Sequence, residues 1–229
     1  MSKFECGGLK KGELFIMSQA IGTGRSLRNE TILRYKSDAM RIRMAEEFAT
    51  QAHKGQLRRF GEGEAYIEHP KRVAKRVSDA RLSVEAIQSA LLHDVVEDCD
   101  VTSEQIYKKF GDVVGRYVDV MTDIPYIKGG PNRAARKEIT RNKFLLLQGL
   151  ESIEVATIKV ADCIDNAVSI KENDPDFWRV FRKEIFALSG ILTLAEPNMH
   201  DKLRDILEMP RRIHTKKVLS LWEYGELKI

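Results

Sequence analysis

Thiols are scarce in this chain and spaced for neither of their usual structural uses. The 229 residues include three cysteines, Cys6, Cys99 and Cys163. An odd number with no CxxC pair and no zinc-ligand spacing implies neither a disulfide framework nor a thiolate metal site, and it suits a reducing compartment. Long apolar runs are missing as well: no stretch approaches the ~18 residues of a membrane span, and the opening MSKFECGGLKKGE lacks the apolar segment of a secretory signal. A cytoplasmic protein with no membrane partner is the expectation. Charge of one sign is also lacking, since 38 basic residues against 34 acidic ones leave a formal +4. That balance favours an anionic ligand slightly and makes no case for nucleic acid.

Prolines number only six and sit mainly between segments in which apolar residues recur three and four apart. The pattern predicts an all-α protein. Residues 1–36, with glycine-bearing turns and many polar groups, read as an N-terminal extension of weak order or a short hairpin, so the domain is expected over 37–229. Its first helix is predicted behind a Ser37/Asp38 N-cap, with Ala39, Ile42, Ala45, Phe48, Ala49 and Ala52 as the buried stripe, ending near His53. The stretch GQLRRFGEGEAYIE reads as a loop. Pro70 opens the next helix, Ser83 caps one running through Leu91, Leu92 and Val95, and Thr102 with Gln105 makes a capping box for one that stops at Gly111. Further helices are predicted at about 112–122, 132–149, 152–170, 176–195, 198–208 and 211–223.

One segment, SALLHDVVED at 89–98, places a histidine and three carboxylates among leucines and valines. On a helix, residues three and four apart share a face, so His93 would lie above Glu97, and Asp94 above Glu97 and Asp98. An unpaired ionised carboxylate in a core costs several kcal/mol, and a cation is the compact way to offset it. Two more candidate ligands stand in apolar contexts, His69 in AYIEHP and Asp162 in IKVADCIDN. Two imidazoles and two carboxylates form a nitrogen and oxygen set that suits Mn²⁺ or a similar octahedral ion. His53, His200 and His214 lack such company; His53 reads as a helix-end residue and the other two as surface positions.

The blocks AHKGQLRR, GEAYIEHP, ALLHDVVEDCD, FGDVVGRYVDVMTD and IKVADCIDNAVS together resemble the hydrolase domain of the RelA/SpoT homologues, part of the HD phosphohydrolase superfamily, over about residues 38–195. The single-domain alarmone hydrolases are the nearest in length. The resemblance implies an HD-type helical bundle with a metal site between helices. It implies that His69, His93, Asp94 and Asp162 hold Mn²⁺ and that Glu97 and Asp98 handle the attacking water. Arg58 and Arg59 fall where the family has an Arg-Lys pair that stacks on guanine and contacts phosphate. Asn166 and Ser169 fall where members contact the nucleoside, and Lys137 and Arg141 lie in a basic stretch near the pyrophosphate. Three departures stand out: Arg59 replaces the usual lysine, GEAY replaces GEPY, and Phe186 occupies a position where some hydrolases have tyrosine.

The function so implied is hydrolysis of the 3′-pyrophosphate of (p)ppGpp to GDP or GTP, with a guanine nucleotide alarmone as substrate. A phosphohydrolase of another nucleotide, such as NADPH, a dNTP or a nucleoside monophosphate, is the alternative, with Arg58, Arg59 and Phe186 as the discriminating positions. A non-catalytic alarmone-binding protein is the third reading, which a missing ligand or acidic residue would favour.

Overall fold

The computed structural model describes residues 25–59, 63–125 and 130–209. The chain divides into two compact units, Met1–Met40 and Arg41–Ile229. Among the described residues every regular element is a helix, as the spacing of apolar residues predicts.

In the first unit, residues 25–40 belong to helix α1, Arg25–Ala52. The predicted start at Ser37/Asp38 is therefore too late, and the weak order or hairpin predicted for this region is replaced by helix over 25–36. RSLRNETILRYK holds no proline or glycine, so nothing in it stops helix propagation. The remainder of the predicted extension, 1–24, lies outside the described residues.

In the second unit the helices are α2 (Glu68–Asp79), α3 (Val84–Leu92), α4 (Val95–Asp98), α5 (Ser103–Phe110), α6 (Asp112–Met121), α7 (Arg133–Leu145), α8 (Gly149–Asn173), α9 (Pro175–Ser189) and α10 (Pro197–Ile206). The last predicted helix, 211–223, lies outside the described residues. Helix α8 is the central rod: Val155, Ile158, Val160, Ala161 and Ile164 are fully buried, and α2, α3, α6, α7, α9 and α10 all pack on it. Its Lys159, Asp162 and Asn166 recur three and four apart, which puts them on one face of the helix. That face becomes one wall of the site.

Local chemistry fixes the ends of these elements. Ser83 Oγ accepts the Ala86 N–H at 3.0 Å, and Thr102 and Gln105 form the predicted capping box. Lys143 donates to the carbonyls of Asp119 and Thr122 at 3.0 and 2.8 Å, closing the C-terminal end of α6. Helix α2 begins at Glu68, so His69 stands in its first turn and Pro70 at a position whose missing N–H leaves no helical bond unmade. Of the predicted loop, residues 55–59 and 63–67 are non-helical, and an antiparallel bridge joins Leu57 to Ala65.

Two expectations are corrected. The helix predicted to run on through His93 and Asp94 ends at Leu92, and a separate short turn of helix starts at Val95. Asp94, at φ −100° and ψ −8°, departs from helical geometry without leaving that region of backbone space. His200, read from sequence as a surface residue, is fully buried and bonds the Ser189 carbonyl at 2.9 Å through Nε2. His53 does follow the end of a helix, but it too is buried, and its ring stacks on Tyr66 with centroids 4.6 Å apart. His214 lies outside the described residues.

Candidate metal centre and its cleft

The break after Leu92 turns the side chains of His93 and Asp94 toward one point, with His93 Nε2 3.1 Å from Asp94 Oδ2. His69 Nε2, from the first turn of α2, stands 3.5 Å from the same oxygen and 3.3 Å from Asp162 Oδ1 on α8. Asp162 Oδ1 is 3.7 Å from His93 Nε2. Thus three separate segments converge their four side chains, and one ligand atom each from His69, His93 and Asp94 fits within a 4.8 Å span.

The imidazoles are held with Nε2 inward. His93 Nδ1 bonds the Ala90 carbonyl at 2.9 Å, and His69 Nδ1 bonds Asp165 Oδ2 at 2.8 Å. Both partners are acceptors, so each Nδ1 carries the hydrogen and each Nε2 has a lone pair to offer when the ring is neutral. His93 Nε2 is buried and has no hydrogen-bond partner of acceptable geometry. An orphaned nitrogen among carboxylates is what a cation would satisfy, and the mixed nitrogen and oxygen donors suit a divalent one.

Electrostatics point the same way. Burial opposes charge on His69, but its contacts with Asp162, Asp165 and Asp94 outweigh that and raise its pKa to about 9. Burial opposes charge on His93 as well, and the Asp94 charge is the main force that raises it well above the usual imidazole range. Burial would raise Asp94 and Asp162, yet His93 and His69 beside the one, and Lys159 with both imidazoles beside the other, hold them well below the carboxylate range. These shifts favour protonated imidazoles beside ionised carboxylates.

The acidic pair lies beside this centre. Glu97 Oε2 accepts the Asp123 N–H at 3.0 Å, and burial followed by the Asp123 charge pushes its pKa up. Asp98 is raised by burial and then by the Asp94 charge. Both line an open cleft of about 830 Å³ together with Asp94 and Asp162. Lys137, Arg141 and Lys159 bring positive charge to it, and Phe181, Ile185 and Leu188 give it an apolar side. Lys137 pairs with Asp123, and Arg141 with Glu138.

The other sequence candidates are placed differently. Arg58 has a side chain only 9% exposed, donates to Asn166 Oδ1 at 3.1 Å and stands 3.8 Å from Asp165 Oδ2. Arg59 points elsewhere, 75% exposed, 4.0 Å from Asp174 Oδ2 and over the Phe177 ring. Asn166 lines the cleft and donates to Asp162 Oδ1 at 2.6 Å. Ser169 is half-buried one turn further along α8. Phe186 is 55% exposed on α9, and the phenylalanine lining the cleft is Phe181.

Sequence reasoning missed four residues of the centre. Tyr66 Oη lies within hydrogen-bond distance of both Asp94 and Asp98. Lys159 donates to Asp162 Oδ2 at 2.8 Å, and Asp123 anchors Glu97. Asp165 holds His69 and is itself bound by Arg72 through Nε at 2.8 Å. Asp165 follows Asp162 by three residues, and that helical spacing was the available signal.

The chain is similar to several known proteins. A sequence profile described as the HD domain matches residues 45–188. A Vibrio cholerae protein named guanosine-3′,5′-bis(diphosphate) 3′-pyrophosphohydrolase is 33% identical over 210 residues, covering 80% of this chain and 29% of its own length. The Escherichia coli K12 protein named bifunctional (p)ppGpp synthase/hydrolase SpoT is 33% identical over 144 residues, 63% of this chain and 20% of that one. The chain thus spans less than a third of either curated relative. A solved structure described as a metazoan ortholog of SpoT that hydrolyzes ppGpp superposes with a TM-score of 0.63 at 25% identity, covering 73% of this chain and 94% of that one.

Proposed function

The chain belongs to the HD domain family, and on that footing we propose that it is a metal-dependent phosphohydrolase that removes pyrophosphate from the 3′ position of (p)ppGpp. The observation that carries the metal is the orphaned His93 Nε2 among His69, Asp94 and Asp162. The names of the curated relatives support the substrate.

His69, His93, Asp94 and Asp162 would hold the ion, and their mixed nitrogen and oxygen donors suit Mn²⁺ or a similar octahedral ion. When bound, a divalent cation supplies charge to phosphate oxygens and lowers the pKa of water. Glu97 and Asp98 accept the proton of the attacking water; carboxyls whose pKa is raised are better matched to that exchange near neutral pH. The water oxygen forms a bond to the phosphorus esterified at the ribose 3′ oxygen. The bond from that phosphorus to the 3′ oxygen breaks, the electron pair leaves with the ribose, and the carboxyl returns a proton to it. GDP or GTP and pyrophosphate result.

Lys137 and Arg141 exchange their carboxylate partners for substrate phosphates at the cleft wall. Asn166 and Ser169 contact the nucleoside, with Arg58 positioning the Asn166 amide it already holds, and the exposed Arg59, over the Phe177 ring, reaches base or phosphate by swinging toward the cleft. The test is a panel of ppGpp, pppGpp, NADPH and dNTPs with Mn²⁺ and other divalent ions, read by product identity. Turnover of the alarmones above the rest supports the reading; preference for NADPH or a dNTP replaces it.

A further inference from the structure

A second groove shares a residue with the network behind the metal centre. Arg76 lines this groove and places one guanidinium nitrogen 3.4 Å from Asp165 Oδ1, the carboxylate that holds His69. Ala80 and Met199 contribute apolar surface, the buried Ile164 lies beneath it, and Arg81, Lys202 and Asn198 contribute polar groups. The groove measures about 1050 Å³ and is open to solvent.

Three cationic side chains, Arg76, Arg81 and Lys202, and two carboxylates, Asp79 and Glu196, line it. Among the described residues no carboxylate pairs with the Arg81 or Lys202 side chain. The acids at the rim are engaged: Asp79 takes the Lys75 ammonium at 2.6 Å, and Glu196 accepts the Asn198 and Met199 N–H groups at 3.1 and 2.6 Å.

The backbone gives an independent sign. Arg81 has φ +58°, where the Cβ of an L-residue is crowded. It sits at the end of α2, where Arg81 N bonds the Ser78 carbonyl at 2.9 Å and Leu82 N bonds the Val77 carbonyl at 3.4 Å. That closing turn favours glycine. An arginine there gives up backbone stability while its side chain lines the groove, and such local strain points to a use for the side chain.

We propose that this groove binds a polyphosphate anion through Arg76, Arg81 and Lys202, and that Arg76 and Asp165 link its occupancy to His69. An anion that draws Arg76 toward itself weakens the hold of Arg76 on Asp165 and so alters the acceptor that orients the imidazole. The link is independent of the reaction assigned to the cleft.

Inorganic pyrophosphate titrated calorimetrically into the metal-free full chain tests both parts. The wild type is expected to show a class of binding that Arg81→Gly and Lys202→Ala each weaken at least 10-fold and that Lys137→Ala, altered in the other cleft, retains. Arg81→Gly should meanwhile raise Tm, because glycine fits φ +58°, so lost binding cannot be put down to misfolding. The His69 imidazole nitrogen resonances should move with pyrophosphate in the wild type and stay fixed in Arg81→Gly. Equal pyrophosphate binding in wild type, Arg81→Gly and Lys202→Ala, or loss of the class in Lys137→Ala, overturns the site. Resonances that do not move overturn the link.

Discussion

The Tyr66 hydroxyl lies 2.7 Å from Asp98 Oδ2 and 2.8 Å from Asp94 Oδ2, so one side chain touches both a metal-ligand candidate and a candidate base. A single hydroxyl hydrogen serves one carboxylate at a time, and an Asp94 committed to a cation would leave it to Asp98. Tyr66→Phe keeps the ring that stacks on His53 and removes only this contact. We expect kcat to fall by roughly 10-fold, the equivalent of one hydrogen bond to a charged group at ~1.5 kcal/mol, with metal content and KM little changed. An unaltered kcat with a lowered Tm would make the hydroxyl purely structural.

Asp165→Asn keeps the size of the side chain but removes the charge that holds His69 Nδ1 and receives Arg72. Carboxylates in this position on metal-ligating histidines are worth about 10–100-fold in metal affinity. Competition against a fluorescent chelator should show a loss of that size, and affinity equal to wild type would remove Asp165 from the centre.

Metal uptake should release protons. His69 must be neutral to ligate, and in the metal-free protein its pKa is raised to about 9. Affinity should therefore climb with pH up to about 9, and calorimetry in buffers of different ionisation enthalpy should count the protons displaced. The same shift has a stability sign: a raised imidazole pKa stabilises the metal-free fold fully below ~6.5, and that contribution is lost as pH rises through about 9. Metal affinity independent of pH across this window would contradict the protonated metal-free site.

Away from the cleft, buried Glu154 accepts the Tyr117 hydroxyl at 2.6 Å and the Ser83 N–H at 3.1 Å. Tyr117→Phe leaves one carboxylate oxygen without its partner in the core, at a cost of ~1–3 kcal/mol. Denaturant unfolding should show that loss with activity per folded molecule retained. A midpoint equal to wild type would mean that Glu154 finds another donor.

The all-α class was legible because apolar residues recur at helical spacing in nearly every segment. His69, His93, Asp94 and Asp162 were legible as candidates because each stands out against apolar neighbours. The break at His93 and Asp94 was not, since no glycine or proline marks it and it shows only in the backbone. The early start of α1 was missed for the converse reason: polar residues at Ser37 and Asp38 look like a cap, yet nothing before them stops the helix. Tyr66, Lys159 and Asp165 act by touching ligands, and contacts such as Arg58 to Asn166, far apart in sequence, have no local signature. Phe186 drew attention through the resemblance, whereas one turn and a residue earlier Phe181 faces the cleft.

The proposed reaction is hydrolysis at the 3′ phosphorus by the centre built on His69, His93, Asp94 and Asp162. The most direct measurement is ppGpp turnover with Mn²⁺ in ¹⁸O-water, for wild type and Asp94→Asn, with products resolved by mass. The expected products are GDP and pyrophosphate, with the label in pyrophosphate and none in the ribose hydroxyl, and with Asp94→Asn inactive and depleted of metal. Intact ppGpp in the wild-type reaction, release of single phosphates, or full activity in Asp94→Asn would contradict it.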